Sequence, residues 1–315
     1  MQAALKFSDH PVRLSGDKAD LAKISGLAGL SCHQDSAGTH FEVAKDTSLP
    51  TIIHLVHHEA AQPIHFVLGQ NSRVILVESF ESANADNAPE AKLNVVIKNG
   101  AQLNYTRIQN QLATTLHHGT TNIVQERDSQ FDAVLLNFGA SLSRHELNIA
   151  LTGPGTNSRF FGLSIGNDEQ KIETHTFLDH QQPHGTSEQV FKTILGGNAK
   201  GVFEGRIDVR KEAQKTDARQ TNKTLLLSPG ARIDTTPQLN IHADDVKCSH
   251  GAAVGQLNPE EVFYLEARAI SRAIAQQMMT LGFAEDILYH QNQERILAHL
   301  HQVVVQKLAT LKVEL

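Results

Sequence analysis

Gly100-Ala101-Gln102-Leu103 sets a residue suited to a tight corner before a small one, with an apolar residue two positions further on. The pattern returns as Asn71-Ser72-Arg73-Val74, Gly139-Ala140-Ser141-Leu142, Asn157-Ser158-Arg159-Phe160, Gly230-Ala231-Arg232-Ile233 and Gly251-Ala252-Ala253-Val254, and more loosely at Asn198-Ala199. Gly and Asn tolerate positive φ, and a small residue after them lets neighbouring chain segments approach. Several copies lie roughly 20 residues apart or twice that, a period expected of stacked coils. Between them run short β-branched segments, such as Ile52-Ile53-His54-Leu55-Val56, Arg73-Val74-Ile75-Leu76-Val77 and Val202-Phe203-Glu204-Gly205-Arg206-Ile207-Asp208-Val209. Strands closed by such corners describe a parallel β-helix, and a sandwich or jelly roll is the alternative with similar strand lengths.

Working outward from this region divides the chain into three parts. Residues 1–45 form a short N-terminal segment with weak signals, including an apolar stretch from Leu21 to Leu30 broken by Gly26 and Gly29. Residues 46–257 carry the β-rich pattern, and residues 258–315 read as helical. Asn258-Pro259-Glu260-Glu261 has an N-cap residue, Pro at the first helical position and an acidic first turn, which predicts a helix to about Arg268. Ser271 can cap a second helix ending near Gly282. A third follows from the three-to-four spacing of Ile296, Leu297, Leu300, Val303, Val304, Leu308 and Leu311. A helical part of this size is too small for a core of its own, so its apolar stripe has to pack on the β body, on a partner, or on both.

Composition narrows the function. The chain has 315 residues and a net charge of −6, which disfavours nucleic acid or an anionic membrane as main partner. No apolar run approaches a membrane span, and no basic segment leads into an apolar one at the N-terminus. Cys32 and Cys248 are the only cysteines, too few for a disulfide framework, so a cytoplasmic location is expected. The 18 histidines are polar residues suited to partial burial, and some of them are candidate metal ligands.

Two tempting motifs fail on context. Gly162-Leu163-Ser164-Ile165-Gly166 matches a nucleophile elbow, yet the alternating Lys171-Ile172-Glu173-Thr174-His175-Thr176 that follows reads as strand where a helix is required. His58-Glu59-Ala60-Ala61-Gln62 has Gln where the second zinc ligand of a metalloprotease helix must stand. His54, His57, His58 and His65 remain able to gather on neighbouring strands. Neither a P-loop nor a dinucleotide-binding glycine fingerprint is present.

Asp244-Asp245-Val246-Lys247-Cys248-Ser249-His250-Gly251 carries the strongest chemistry. On an extended backbone Cys248 and His250 project from one face. A buried free cysteine acting as a small hydrophobe is the plain alternative. Two ligands cannot enclose a metal, and an iron–sulfur cluster normally takes about four protein ligands. Any inorganic chemistry at this pair needs donors from another polypeptide.

At these residues the chain resembles the SufB/SufD family of iron–sulfur cluster assembly proteins, and within it the SufD branch. The resemblance runs from about Thr174 to Leu288. It takes in Thr174-His175-Thr176, His180, Lys192, Val202-Phe203 with Gly205, Ile207 and Val209, and Lys215-Thr216-Asp217-Ala218-Arg219-Gln220-Thr221-Asn222. It continues through Leu225-Leu226-Leu227-Ser228, Pro237-Gln238-Leu239, the Asp-Asp-Val-Lys-Cys-Ser-His-Gly-Ala block and Phe263-Tyr264-Leu265-Glu266-Ala267-Arg268. The Cys-Ser-His-Gly block favours SufD, and Thr221 stands where SufB-like chains carry a cysteine. Asn240 and Ala269 depart from the family pattern, and the chain has no Trp, which the longer N-terminal helical domain of many members contains.

The resemblance implies a right-handed parallel β-helix followed by a C-terminal helical domain. It implies a non-catalytic scaffold subunit of a SufBCD-type assembly that pairs with a SufB-like subunit through the far end of the β-helix. A SufC-like ATPase would dock on the helical domain, with Phe263, Tyr264, Leu265 and Arg268 facing it. Cys248 and His250 would lie at the pairing surface and share iron or a transient iron–sulfur cluster with SufB, no cofactor being held stably by the isolated chain. A homodimer is open to the chain alone, because an exposed sheet edge permits one. Two other classes stand against this reading: a stand-alone His-rich metal-binding β-helix protein, and a β-helix polysaccharide-active enzyme.

Overall fold

In a computed structural model the chain is described at residues 12–14, 27–57, 62–80, 90–311 and 313. It is a parallel β-helix built from two nine-stranded sheets, with three helices at its C-terminal side. The first sheet stacks β1 (Val12–Leu14), β4 (Ser48–His57), β6 (Arg73–Phe80), β8 (Gln102–Gln109), β10 (Gln130–Asn137), β12 (Asn157–Gly166), β14 (Thr186–Leu195), β16 (Asp217–Leu226) and β18 (Lys247–Gly255) in that order. The second stacks β2 (Leu30–Asp35), β3 (Gly38–Val43), β5 (Ile64–Leu68), β7 (Ala91–Ile97), β9 (Leu116–Gln125), β11 (Leu142–Leu151), β13 (Lys171–His180), β15 (Lys200–Val209) and β17 (Arg232–Ile241). Successive coils pair in parallel and in register, as Gln130 with Asn157 and Asn157 with Thr186.

The β body starts earlier than residue 46. β2 and β3 form an antiparallel hairpin whose second strand pairs with β5, so residues 30–43 belong to the second sheet. Of the stretch Leu21 to Leu30, the part before Leu27 lies outside the described residues. The coil period also differs from 20: residues stacked on adjacent coils are mostly 26 to 32 apart, as Leu116 with Leu142 and Lys200 with Arg232. The corner signature has two interleaved origins. Asn71 (φ 56°) and Gly100 (φ 67°) open strands of the first sheet, whereas Ala140 (φ 69°) and Gly197 (φ 59°) precede strands of the second. The small residues beside them, Ser72, Ala101 and Ala199, are fully buried, as close stacking of coils requires. Gly251-Ala252 is no corner; it lies inside β18.

In–out alternation fills the lumen. Along β11, Leu147, Ile149 and Leu151 point inward and are buried. Phe41 and Phe66 stack from strand to strand with ring centroids 5.5 Å apart, and Phe191 meets Phe203 of the other sheet across the lumen at 5.1 Å. A second apolar cluster lies on the outer face of the first sheet. There Val134, Leu136, Phe161, Leu163 and Ile165 meet Ala284, Ile287, Ile296, Leu300 and Val304 of the helices. The helices therefore cover the side of the β-helix and leave its end open.

Each helix has a local cause. In α1 (Pro259–Glu266) the Asn258 side chain accepts from the Glu260 N–H at 2.9 Å. α2 (Arg272–Leu288) runs past Gly282, around which a side chain would meet open space. A mid-helix glycine costs only about 1 kcal/mol, which the packing of Ala284, Ile287 and Leu288 outweighs. α3 (Glu294–Leu308) buries Ile296, Leu300 and Val304. Polar bonds fix the layer: Lys192 Nζ reaches Phe283 O at 2.9 Å and Asp286 at 2.7 Å, and Gln291 donates to Thr106 Oγ1 at 2.7 Å. No helix among the described residues is long and apolar enough to cross a membrane.

Phe203→Ala should destabilise the chain by about 3–5 kcal/mol in urea unfolding, because it empties a packed lumen. Phe263→Ala, on the exposed face of α1, should stay within about 0.5 kcal/mol. Equal costs would contradict this division into core and surface.

Candidate functional site

The last coil brings Cys248 and His250 to the open end of the β-helix. Among the described residues β17 and β18 are the edge strands of their sheets, each with a paired neighbour on one side only. Cys248 stacks on Ala218 and His250 on Gln220, and both of those partners are buried inward-facing residues. Register therefore sets both side chains on the lumenal face at the mouth. Cys248 is half-buried against the core, and His250 is exposed. Asp245 is engaged by Lys215 across the preceding corner, and Asp244 is exposed.

Burial pushes the Cys248 thiol up, the Asp217 carboxylate adds to this, and a backbone hydrogen bond from Ala218 offsets part of it. Cys248 is thus a protonated thiol at neutral pH in the isolated chain and a poor nucleophile or metal ligand until its surroundings change. Cys32 sits at the other end of the molecule, pushed up to about 11 by burial. Both cysteines are free.

Behind the mouth the lumen turns polar. Gln220 Nε2 and Thr176 Oγ1 both donate to Gln189 Oε1 at 3.1 Å. Asn222, buried one step along β16, makes no hydrogen bond through either side-chain atom. Such residues stack only because their parity is inward, and they give the mouth an uncharged, hydrogen-bonding floor.

The proposed ATPase-facing residues divide. Phe263, Tyr264 and Arg268 are exposed, and the Arg268 guanidinium lies 4.4 Å from the Tyr264 ring centroid and hydrogen-bonds its hydroxyl. Leu265 instead packs against the cluster beneath the helices. Ile274 and Met278, one turn apart on α2, add exposed apolar surface that sequence reading did not single out.

The histidines of the 54–65 region do not gather. His54 and His57 lie on β4, facing opposite sides of the first sheet, while His65 lies on the outer face of the second; His58 falls outside the described residues. His57 joins a buried network that the sequence did not reveal. Its Nε2 donates to Glu78 Oε1 at 2.7 Å, Tyr105 donates to the other Glu78 oxygen, and Arg107 donates to His117 Nε2 at 2.5 Å. Burial raises the Glu78 carboxyl, but His57, Arg107 and Tyr105 outweigh it and hold it below its usual range. His117 and His145 are pushed well down by burial and by the Arg107 charge, so both are neutral acceptors. Glu78 and Arg107 occupy inward positions of β6 and β8, which shows only once the parity of those strands is fixed.

Residues 54–283 match the family model described as the SUF system FeS cluster assembly, SufBD core domain. A SufBD family iron–sulfur cluster assembly protein of Synechocystis is 34% identical over 78% of this chain and 58% of its own length. The iron–sulfur cluster assembly protein SufD of Escherichia coli is 33% identical over 71% and 53%, and the chloroplastic protein ABCI7 of Arabidopsis thaliana is 32% identical over 62% and 42%. The chain spans about half the length of the curated relatives it matches.

Two predictions follow from the ionisations. Iodoacetamide labelling of Cys248 at pH 7 should be slower than that of a peptide thiol and should rise only above the ordinary thiol range; peptide mapping of labelled protein measures this, and fast labelling at pH 7 would contradict a raised pKa. His180, pushed down to about 4 by burial, binds its proton more weakly folded than unfolded. Stability from this group is full above about pH 6.5 and falls as pH drops toward 4, by on the order of 3 kcal/mol. Urea midpoints between pH 7 and 4 should show that loss, and His180→Gln should flatten it.

Proposed function

The chain belongs to the SufBD family of iron–sulfur cluster assembly proteins, and we propose that it is the SufD-like, non-catalytic scaffold subunit of an assembly with a SufB-like subunit and a SufC-like ATPase. One observation carries this: the β-helix ends on two unpaired sheet edges, with a thiol and an imidazole on the inward face between them. Unpaired edges are templates for another strand-bearing chain. Completing that end would also supply the donors that two residues lack.

In this reading the SufB-like subunit pairs against β17 and β18. Cys248 and His250 then lie beside donors of the partner, where iron, sulfide or a nascent cluster is cargo. Pairing changes the dielectric and charge around Cys248, and a cation or metal there lowers its pKa and frees the thiolate. The His250 imidazole can ligate iron or carry a proton. Without a partner, the same edges can pair with a second copy.

The ATPase docks on the opposite functional surface, the exposed face of Phe263, Tyr264 and Arg268 with Ile274 and Met278 on α2. Aromatic and arginine side chains are frequent interface anchors. Motion imposed there passes to the β-helix through the packed layer between α2 and the outer faces of β12 and β14, where Lys192 is bonded to α2 at both Phe283 and Asp286. Two free cysteines suit a reducing, cytoplasmic setting.

The test separates the two surfaces in a co-expressed three-subunit complex. Thr236→Lys with Val254→Lys should release the SufB-like subunit and retain the ATPase. Phe263→Ala with Tyr264→Ala and Arg268→Ala should do the reverse. Cys248→Ala with His250→Ala should leave both subunits bound while iron and acid-labile sulfide fall severalfold. Full cluster content in that last variant, or loss of both partners from either surface variant, contradicts the assignment.

A further inference from the structure

At the end of the β-helix remote from Cys248, three histidines stand in one cross-strand row. His33 of β2 pairs in register with His40 of β3, and His40 with His65 of β5. The rings are stacked, with centroids 4.7 Å apart for both pairs and interplanar angles of 5° and 11°. The row lies on the outer face, because Cys32 and Phe41, the alternate residues beside it, point into the core. The covering helices pack on the other sheet. Eight strand spacings separate β2 from β17, about 38 Å.

The tight turn of the β2–β3 hairpin adds a carboxylate. Asp35 Oδ1 accepts from the Ala37 N–H at 2.8 Å and the Gly38 N–H at 3.2 Å, and lies 3.1 Å from His40 Nε2. Gly38 (φ 146°) is needed there, since a Cβ would sit 2.0 Å from Pro63 O. The two backbone N–H groups fix the Asp35 carboxylate in direction beside His40. One ligand atom from each of His33, Asp35 and His40 falls within 4.8 Å of the others.

We propose that His33, Asp35 and His40 bind a borderline divalent cation of the zinc class, with His65 adjacent as a further donor. Imidazole nitrogen with one carboxylate oxygen is the donor set such ions prefer over the all-oxygen shell of calcium or magnesium. Ligand atoms around a tetrahedral zinc ion lie about 3.3 Å apart; Asp35 and His40 already stand 3.1 Å apart, and the exposed His33 ring has to turn out of its stack on His40 and approach by up to about 1.5 Å. Binding joins β2 to β3 across the sheet edge and, with His65, to β5. The ion thereby clamps the first coil, and the stabilisation it brings depends on its concentration. This site is independent of the partner-sharing pair at the other end.

Zinc titration calorimetry on the full chain carrying Cys248→Ser and His250→Ala, with cobalt absorption as a second readout, tests the proposal. One equivalent of zinc should bind and raise the melting temperature. His33→Gln with His40→Gln should weaken binding about tenfold or more and abolish the shift, and Asp35→Asn should weaken it by a smaller factor. Circular dichroism confirms that these surface variants fold. Unchanged affinity in the His33→Gln, His40→Gln variant, or no zinc binding by the parent, overturns the site and leaves the row as stacked rings only. Neither result bears on assembly with the SufB-like and SufC-like subunits, which co-purification reports separately.

Discussion

Parallel pairing between successive coils, residue on residue, is the constraint from which the rest follows. Each interior strand gives its backbone donors and acceptors to the coil before and the coil after. The arrangement has no natural terminus, because a last coil always presents unpaired groups. At one end a hairpin, β2–β3, turns the edge antiparallel; at the other, β17 and β18 each have, among the described residues, a paired neighbour on one side only. The same register governs side chains. Once Phe160 and Phe191 face inward, Gln189 and Gln220 must as well, and Cys248 and His250 inherit that face in the final coil. The placing of a thiol and an imidazole at the mouth is thus a consequence of stacking, and no special loop is needed to aim them.

The outer face of the first sheet solves a different problem. Its apolar residues would be an adhesive surface if exposed, and the three helices cover it. The contact is apolar over most of its area, while Lys192, Gln291 and the stacked Phe161–His290 pair fix the position of the helices. One side of the helical layer is locked to the β-helix, and the other shows Phe263, Tyr264 and Met278 to solvent. A body with one unfinished end and one aromatic flank is suited to joining two different partners at once.

Much of this was legible in the residues, and the failures have physical causes. The corner signature at Asn71 and Gly100 pointed to coils, but corners of two kinds alternate, so their raw spacing hides a period that is mostly 26 to 32. Gly251 copied the signature without being a corner, since a glycine inside an edge strand looks the same as one at a bend. The α1 cap was readable from Asn258 and Pro259, whereas the length of α2 was not, because tertiary packing overrides the weak penalty of Gly282. Cys248 and His250 could be placed on one face from spacing alone. The Glu78–Arg107 network was invisible because a charged residue reads as outward until the parity of its strand is known. The same gap hid the His33, His40 and His65 row, which exists only through cross-strand register.

The central claim is that β17 and β18 form an unfinished end completed by a SufB-like subunit. Amide hydrogen exchange of the chain alone and with that subunit tests it most directly. The account predicts new protection at Arg232–Ile241 and Lys247–Gly255, with little change in β2 and β3. Protection confined to the helices, or no change at either edge strand in a complex that forms, would contradict it.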